Sequence, residues 1–180
     1  LIAIVRNMRN YLLDQGADVN GGEDLSSRPL FVAIRRGHTD IAMLLLDRGA
    51  DPALCDPRKT NALMFACWKG NLAVATRCVN AEVPINATND SGEAPLLFAS
   101  SFCSKDIVRM LLARGANPVA RDPEGMTALH WAAFRGCPDV MPALLEAAPQ
   151  LLNRQDKTGR TPLMMAVIAG EVTAVQQLLE

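Results

Sequence analysis

The chain has 180 residues, with 18 Lys and Arg against 19 Asp and Glu, a formal net charge of -1, 49% hydrophobic residues and 4% aromatics. So even a balance excludes the long-range field of a nucleic-acid or membrane-surface binder, and no apolar run approaches the roughly 20 residues that span a bilayer. Cys55, Cys67, Cys78, Cys103 and Cys137 include no Cys-x-x-Cys pair, and no charged segment, apolar run and cleavage site follow Leu1 in order, so reduced thiols in an intracellular protein, cytoplasmic or nuclear, are expected rather than a disulfide framework, a zinc site or a secreted chain.

The glycines are periodic. Gly16, Gly49 and Gly115 form one class, Gly37, Gly70, Gly136 and Gly170 a second, and Gly92, Gly125 and Gly159 a third, each on a period of about 33 residues; ten of the twelve glycines belong to these classes. Self-similarity at that interval is the signature of a solenoid. In chain order the period divides the sequence into a partial unit at 1–22, full units at 23–55, 56–88, 89–121 and 122–155, and a partial unit at 156–180.

Each unit repeats one plan. A turn opens it, as in Asp122-Pro123-Glu124-Gly125 or Asp156-Lys157-Thr158-Gly159. A short apolar helix follows and stops at a glycine, as Thr127 to Arg135 stops at Gly136. A second helix carries apolar residues on one face: Ile41/Leu45/Leu46, Val74/Cys78/Val79, Ile107/Leu111/Leu112 and Val140/Leu144/Leu145. A further glycine supplies the left-handed C-terminal conformation. Helices this short do not persist alone in water, so each pair must be stabilised by stacking on the next.

At its motifs the chain resembles the ankyrin repeat family. Thr127-Ala128-Leu129-His130-Trp131-Ala132-Ala133 matches the family's Thr-Pro-Leu-His-x-Ala-Ala helix start, and Thr161-Pro162-Leu163-Met164 repeats its opening. Leu12-Leu13-Asp14-Gln15-Gly16-Ala17-Asp18-Val19-Asn20, Leu45-Leu46-Asp47-Arg48-Gly49-Ala50-Asp51 and Leu111-Leu112-Ala113-Arg114-Gly115-Ala116-Asn117 match its second-helix ending and loop. The resemblance implies an all-α solenoid of stacked helix-turn-helix units: β-turn or hairpin fingers project, first helices line a concave groove and second helices form the convex back. It also implies binding of other proteins with no catalysis and no cofactor.

Three departures stand out. Unit 56–88 has Lys59 at the turn glycine, Asn61-Ala62 for Thr-Pro, and Glu82 at the loop glycine. Unit 122–155 has Ala148 at the loop glycine and one extra residue between Pro149 and Leu152. It also carries Pro138 and Pro142 in its second helix, and Pro142 lacks the N–H that would bond back to residue 138, so a short, kinked or late-starting helix is expected there.

Nothing in the sequence assembles catalytic chemistry. His130 and His38 are the only histidines; the resemblance implies that His130 bonds the helix start and the neighbouring loop, and His38 suits a helix start. No phosphate-binding loop, nucleophile elbow or metal-binding helix motif occurs. Asn20 and Asn86 hold the loop position that is hydroxylated in some ankyrin proteins, though a loop side chain bonding backbone is the ordinary role.

The last two residues of each first helix are expected to face the groove: Arg35/Arg36, Trp68/Lys69, Ser101/Phe102, Phe134/Arg135 and Ile168/Ala169. Aromatics beside Arg are residue types that dominate interface energy. The candidate groove residues are therefore Arg35, Arg36, Trp68, Lys69, Phe102, Phe134 and Arg135; Phe31, Phe65, Phe98 and Trp131, earlier on the same helices, should be buried. Finger residues Leu25, Arg58, Glu93, Met126 and Arg160 form a weaker second surface. A cationic groove without an acid favours a protein partner with an acidic segment and apolar anchors, not nucleic acid, a membrane or a small-molecule substrate. A non-catalytic interaction scaffold or adaptor is the leading reading. The alternative is a regulatory or targeting arm of a longer enzyme, channel or effector, because Leu1 starts within a first helix and Glu180 ends within a second.

Overall fold

The turn-helix-glycine-helix pattern produces antiparallel helix pairs in the computed structural model, which describes residues 16–21 and 28–180. The helices expected before Gly16 and the finger residue Leu25 lie outside the described residues. The pairs are α1 (Pro29–Arg35) with α2 (Thr39–Asp47), α3 (Ala62–Lys69) with α4 (Leu72–Asn80), and α5 (Pro95–Ser101) with α6 (Lys105–Ala113). They continue as α7 (Ala128–Phe134) with α8 (Met141–Ala147), and α9 (Pro162–Ala169) with α10 (Val172–Leu179). None of these helices is long and apolar enough to cross a membrane.

The helix starts are local chemistry. Pro29, Pro95 and Pro162 open α1, α5 and α9, where a missing N–H costs no helical bond. Thr161 caps α9 through the Met164 N–H. Asn61, which replaces that threonine, does the same for α3 by accepting from the Met64 N–H at 3.0 Å. Before α7, the Thr127 N–H donates to Nδ1 of His130 at 3.2 Å, and the Thr127 hydroxyl lies 2.8 Å from the same nitrogen. His130 then reaches the following finger, its Nε2–H donating to the Arg160 carbonyl at 3.0 Å. The imidazole joins helix start to loop as expected.

First helices pack on first helices along the stack, more extensively than second helices pack on second. Helices flanked on both sides are buried most completely: in α3 all residues from Ala62 to Cys67 are buried, whereas the last first helix, α9, leaves Met164, Val167 and Ile168 exposed. The second helices bury one face, for example Ile107, Val108 and Leu111 in α6. Loops stitch neighbours together. Asn20 Oδ1 accepts the Asp51 N–H at 2.9 Å, and Asn86 Oδ1 accepts the Asn117 N–H at 2.8 Å. At the fingers, the Asp90 N–H donates to the Arg58 carbonyl and the Lys157 N–H to the Glu124 carbonyl, both at 2.9 Å.

The departures are absorbed locally. Lys59 and Glu82 adopt the left-handed conformation of the glycines they replace, each with φ 59°. Helix α8 starts late: residues 138–140 form turns and the helix begins at Met141, so Pro142 falls in its first turn. The extra residue in that unit is taken up by a short 3-10 turn at Pro149–Leu151.

The cysteines require a correction. Cys67 and Cys78 are buried free thiols and Cys55 is a half-buried one, but Cys103 and Cys137 are joined in a disulfide. The expectation of uniformly reduced thiols rested on sequence intervals, and stacking brings positions 34 residues apart into contact.

Candidate protein-binding groove

The ends of α1, α3, α5 and α7 and the fingers beside them enclose a groove of about 630 Å³. Its floor is a row of rings from Phe65 onward, supplied by successive first helices, with Phe31 buried behind Phe65. Phe31 and Phe65 have centroids 5.3 Å apart, Phe65 and Trp68 6.4 Å, and Trp68 and Phe102 6.3 Å. Trp131 and Phe134 form a second edge-to-face pair at 6.3 Å. This spacing lies within the range in which ring quadrupoles attract.

The cations rest on those rings. Lys69 Nζ lies 4.2 Å from the Trp68 centroid, and the Arg35 guanidinium 5.9 Å from that of Phe65. The Arg135 guanidinium is 5.9 Å from Phe102, 6.0 Å from Trp131 and 5.9 Å from Phe134. Such stacking orients each cation and shields part of it from water.

Of the candidate groove residues, Arg35, Trp68, Phe102 and Arg135 line the groove together, and Lys69 borders it on Trp68. Arg36 is exposed and Phe134 half-buried, and neither is among the lining residues. Finger residues Arg58 and Glu93 also line the groove. Met126, expected at an exposed tip, is instead only 5% exposed, its N–H donating to Asp122 Oδ1 at 2.8 Å and its carbonyl accepting the Asp122 N–H. Arg160 is tied to Asp156 through Nε–Oδ2 at 2.8 Å.

Phe98 and Trp131, expected to be buried, are half-exposed and line the groove. The Trp131 indole N–H donates to Asp122 Oδ2 at 2.9 Å. Its polar edge was the available signal, because a tryptophan N–H needs an acceptor and seldom sits in a wholly apolar site. The groove also contains acids, contrary to the helix positions alone. Asp56 and Glu93 enter from the fingers, but both serve the turns: Asp56 Oδ1 accepts the Arg58 and Thr60 N–H groups, and Glu93 Oε2 accepts the Asn89 side-chain N–H.

Protonation follows burial. Desolvation pushes the His130 imidazole below its ordinary value, against the opposing pull of the Arg160 carbonyl and Asp156. Burial raises the Cys67 thiol well above the usual range and the Cys78 thiol to about 12, so neither is a nucleophile near neutral pH. Burial alone would raise Asp156, but N–H and O–H groups of Arg160 and Thr158 hold its carboxyl well below the usual carboxylate range. Among the described residues no three His, Cys, Asp or Glu side chains converge as a metal site. What the arrangement provides is an apolar floor of rings with guanidinium groups stacked against it.

A family model described as "Ankyrin repeats (3 copies)" matches residues 30–122 and 119–180. The chain is 32% identical over 163 residues to palmitoyltransferase Hip14 of Drosophila melanogaster, covering 89% of this chain and 26% of that protein. It is 30% identical over 174 residues to human inversin, covering 93% and 16% respectively. It is 30% identical over 183 residues to the E3 ubiquitin-protein ligase KEG of Arabidopsis thaliana, covering 94% and 11%. The chain therefore spans about a quarter or less of the length of these relatives.

Proposed function

The chain belongs to the ankyrin repeat family, and from that premise we propose that its concave groove receives an acidic segment of a partner protein, anchored by apolar side chains. Ankyrin repeats are protein-interaction modules, built as stacked units that expose an extended concave surface. The observation that carries the finer reading is the ring row Phe65–Trp68–Phe102 flanked by Arg35, Arg58 and Arg135. An apolar anchor gains area on the rings, while carboxylates meet guanidinium groups already oriented by stacking. Residues 1–180 then act as one array in the cytoplasm or nucleus. The array has no catalysis of its own, and nucleic acid, membrane insertion and small-molecule substrates play no part.

Selection from a random peptide display library tests this reading. Recovered peptides should be net acidic with bulky apolar residues, should weaken as salt rises, and should lose about tenfold or more in affinity against the Arg35→Ala/Arg135→Ala variant. Enrichment of neutral or basic peptides, or affinities indifferent to those arginines, would overturn it. The modest share of each relative that the chain covers supports a second reading, in which this array is the regulatory or targeting arm of a longer protein.

A further inference from the structure

One glycine is missing from the series Gly37, Gly70, Gly136 and Gly170, and its place is taken by Cys103. Cys103 keeps the left-handed backbone of that position, with φ 56°, although a side chain there is disfavoured. Cys137 also departs from its own series, standing where His38, Asn71, Ser104 and Glu171 precede the other second helices. The two departures meet.

They meet because the stack pairs these positions at successive junctions. A Cβ added at Gly70 would lie 3.3 Å from Ser104 Oγ, and one added at Gly136 would run into the Glu171 carboxylate. At the junction between them the same relation holds for Cys103 and Cys137, whose Cα atoms are 5.0 Å apart and whose sulfurs are bonded. A side chain is therefore accommodated at this junction as a pair.

The bond lies at the rim of the groove. Cys103 directly follows Phe102, and Cys137 follows Arg135 by two residues. Across the same junction, the Arg135 guanidinium stacks 5.9 Å from the Phe102 ring. Phe102 is 44% exposed, touches the Trp68 ring on one side, and its N–H donates to the Phe98 carbonyl at 3.2 Å at the frayed end of α5. Ser104 and Cys137 N–H groups each donate to the preceding first helix, to the Ala99 and Ala132 carbonyls at 2.9 Å, so the tether joins the two turns that end α5 and α7.

We propose that Cys103 and Cys137 are a reversible thiol-oxidation site, a clasp that fixes the Phe102–Arg135 rim of the groove when oxidised and releases it when reduced. Its consequence for partner binding rests on the groove reading above. The co-reactant class is a small-molecule disulfide such as oxidised glutathione. Cys103 is exposed whereas Cys137 is 2% exposed, so Cys103 is the entry sulfur. Its thiolate attacks one sulfur of the small disulfide and expels one thiolate, leaving a mixed disulfide at Cys103. The Cys137 thiolate then attacks Sγ of Cys103, expels the second small thiol and closes the intramolecular bond. Two protein thiols are oxidised, one small disulfide is reduced to two thiols, and the two protons pass to those products. Excess reduced thiol reverses both steps, so in a reducing compartment the dithiol is the resting form.

The full chain, equilibrated with oxidised or reduced glutathione, tests the clasp without any partner. After oxidation, peptide mapping should recover a Cys103–Cys137 crosslink, with Cys55, Cys67 and Cys78 alkylated after denaturation. Reduction should accelerate amide exchange of Ser104, Arg135 and Cys137 by about tenfold or more, with the Ala75 amide of α4 unchanged. The Cys103→Ser/Cys137→Ser variant should exchange at the reduced rate in either buffer. Absence of that crosslink under oxidised glutathione, or exchange at the rim indifferent to redox state, would overturn the clasp. Either result leaves the peptide-selection test of the groove unaffected.

Discussion

Trp68 and Phe102, contributed by successive repeats, meet edge to face with their planes at 82° and their centroids 6.3 Å apart. The contact spans the floor of the groove and divides its two partners unequally. Trp68 is half-buried against Phe65, whereas Phe102 is exposed beyond it. Phe102→Ala should therefore cost at most about 1 kcal/mol, the value of one exposed aromatic pair. Trp68→Ala should cost about 2–4 kcal/mol because it also opens space above Phe65. Urea unfolding of the two variants checks the order. Peptides selected on the groove should be lost by both, so Phe102→Ala is the variant that separates binding from folding.

His130 predicts a pH dependence with a definite sign. The buried imidazole is held neutral below its ordinary value, while in the unfolded chain it titrates near about 6.5. Between those two values the unfolded state binds a proton that the folded state refuses. Stability is thus unaffected above about pH 6.5 and falls as pH drops through that window. His130→Ala should abolish the slope there. It should also cost about 2–4 kcal/mol at pH 7.5, because the Thr127 hydroxyl and Arg160 carbonyl lose their partner. Denaturant titrations at a series of pH values measure both.

Asp156 acts in a lower window. Its Oδ1 accepts the Thr158 N–H, the Thr158 hydroxyl and the Arg160 N–H at 2.8–2.9 Å, and its Oδ2 accepts the Arg160 Nε–H at 2.8 Å. Its carboxyl is depressed, so its stabilisation is complete above the unfolded value of about 3.9 and is lost as pH falls towards the folded one. Asp156→Asn should lower Tm at pH 7, and the gap from the parent chain should narrow below about pH 4. A constant gap across that range would mean that the turn does not depend on the charge.

The repeat architecture was legible because backbone conformation is written in glycine. Gly49, Gly70, Gly115 and Gly136 all occupy the left-handed region, so their spacing is the spacing of helix ends. Pro142 was equally readable, since a missing N–H has only one tolerable place in a helix. The groove was half legible. Position at the end of each first helix located Arg35, Trp68, Phe102 and Arg135, but helices of seven or eight residues show no clear polar face from which the exposure of Phe98 and Trp131 could be read. The disulfide was hidden for a different reason. Cys103 and Cys137 are neighbours only in the stack, and the gap in the glycine series at 103 was the trace they left.

Glu82 tests the backbone argument directly. It holds φ 59° just past α4, where Gly49 and Gly115 hold φ 86° and 87° after α2 and α6. A left-handed side-chain residue costs about 1–2 kcal/mol, partly offset by the extra freedom glycine gives the unfolded chain. Glu82→Gly should therefore raise stability by about 0.5–1 kcal/mol. Lys59→Gly should gain less, because it also removes the exposed Lys59–Asp90 ion pair at 3.0 Å, worth about 0–1 kcal/mol. Shifts in urea midpoint at constant slope distinguish the two.

Ser100 supplies the converse case, a polar group where the repeat places an apolar one. It is 0% exposed, and its hydroxyl has no hydrogen-bond partner. The corresponding residues one repeat away on either side are Cys67 and Ala133, both fully buried. A desolvated hydroxyl without a partner costs about 1–3 kcal/mol, and removing one oxygen leaves too small a void to cancel that gain. Ser100→Ala should thus stabilise the chain by about 1 kcal/mol, raising Tm by roughly 2–4 °C for a domain of this size. Ser100→Val should do worse, since two methyl groups in place of the hydroxyl must fit between α3 and α7, where α5 is packed on both sides. If alanine proved destabilising instead, the hydroxyl would have to be satisfied by a bound water, and a calorimetric comparison of the two variants would reveal it.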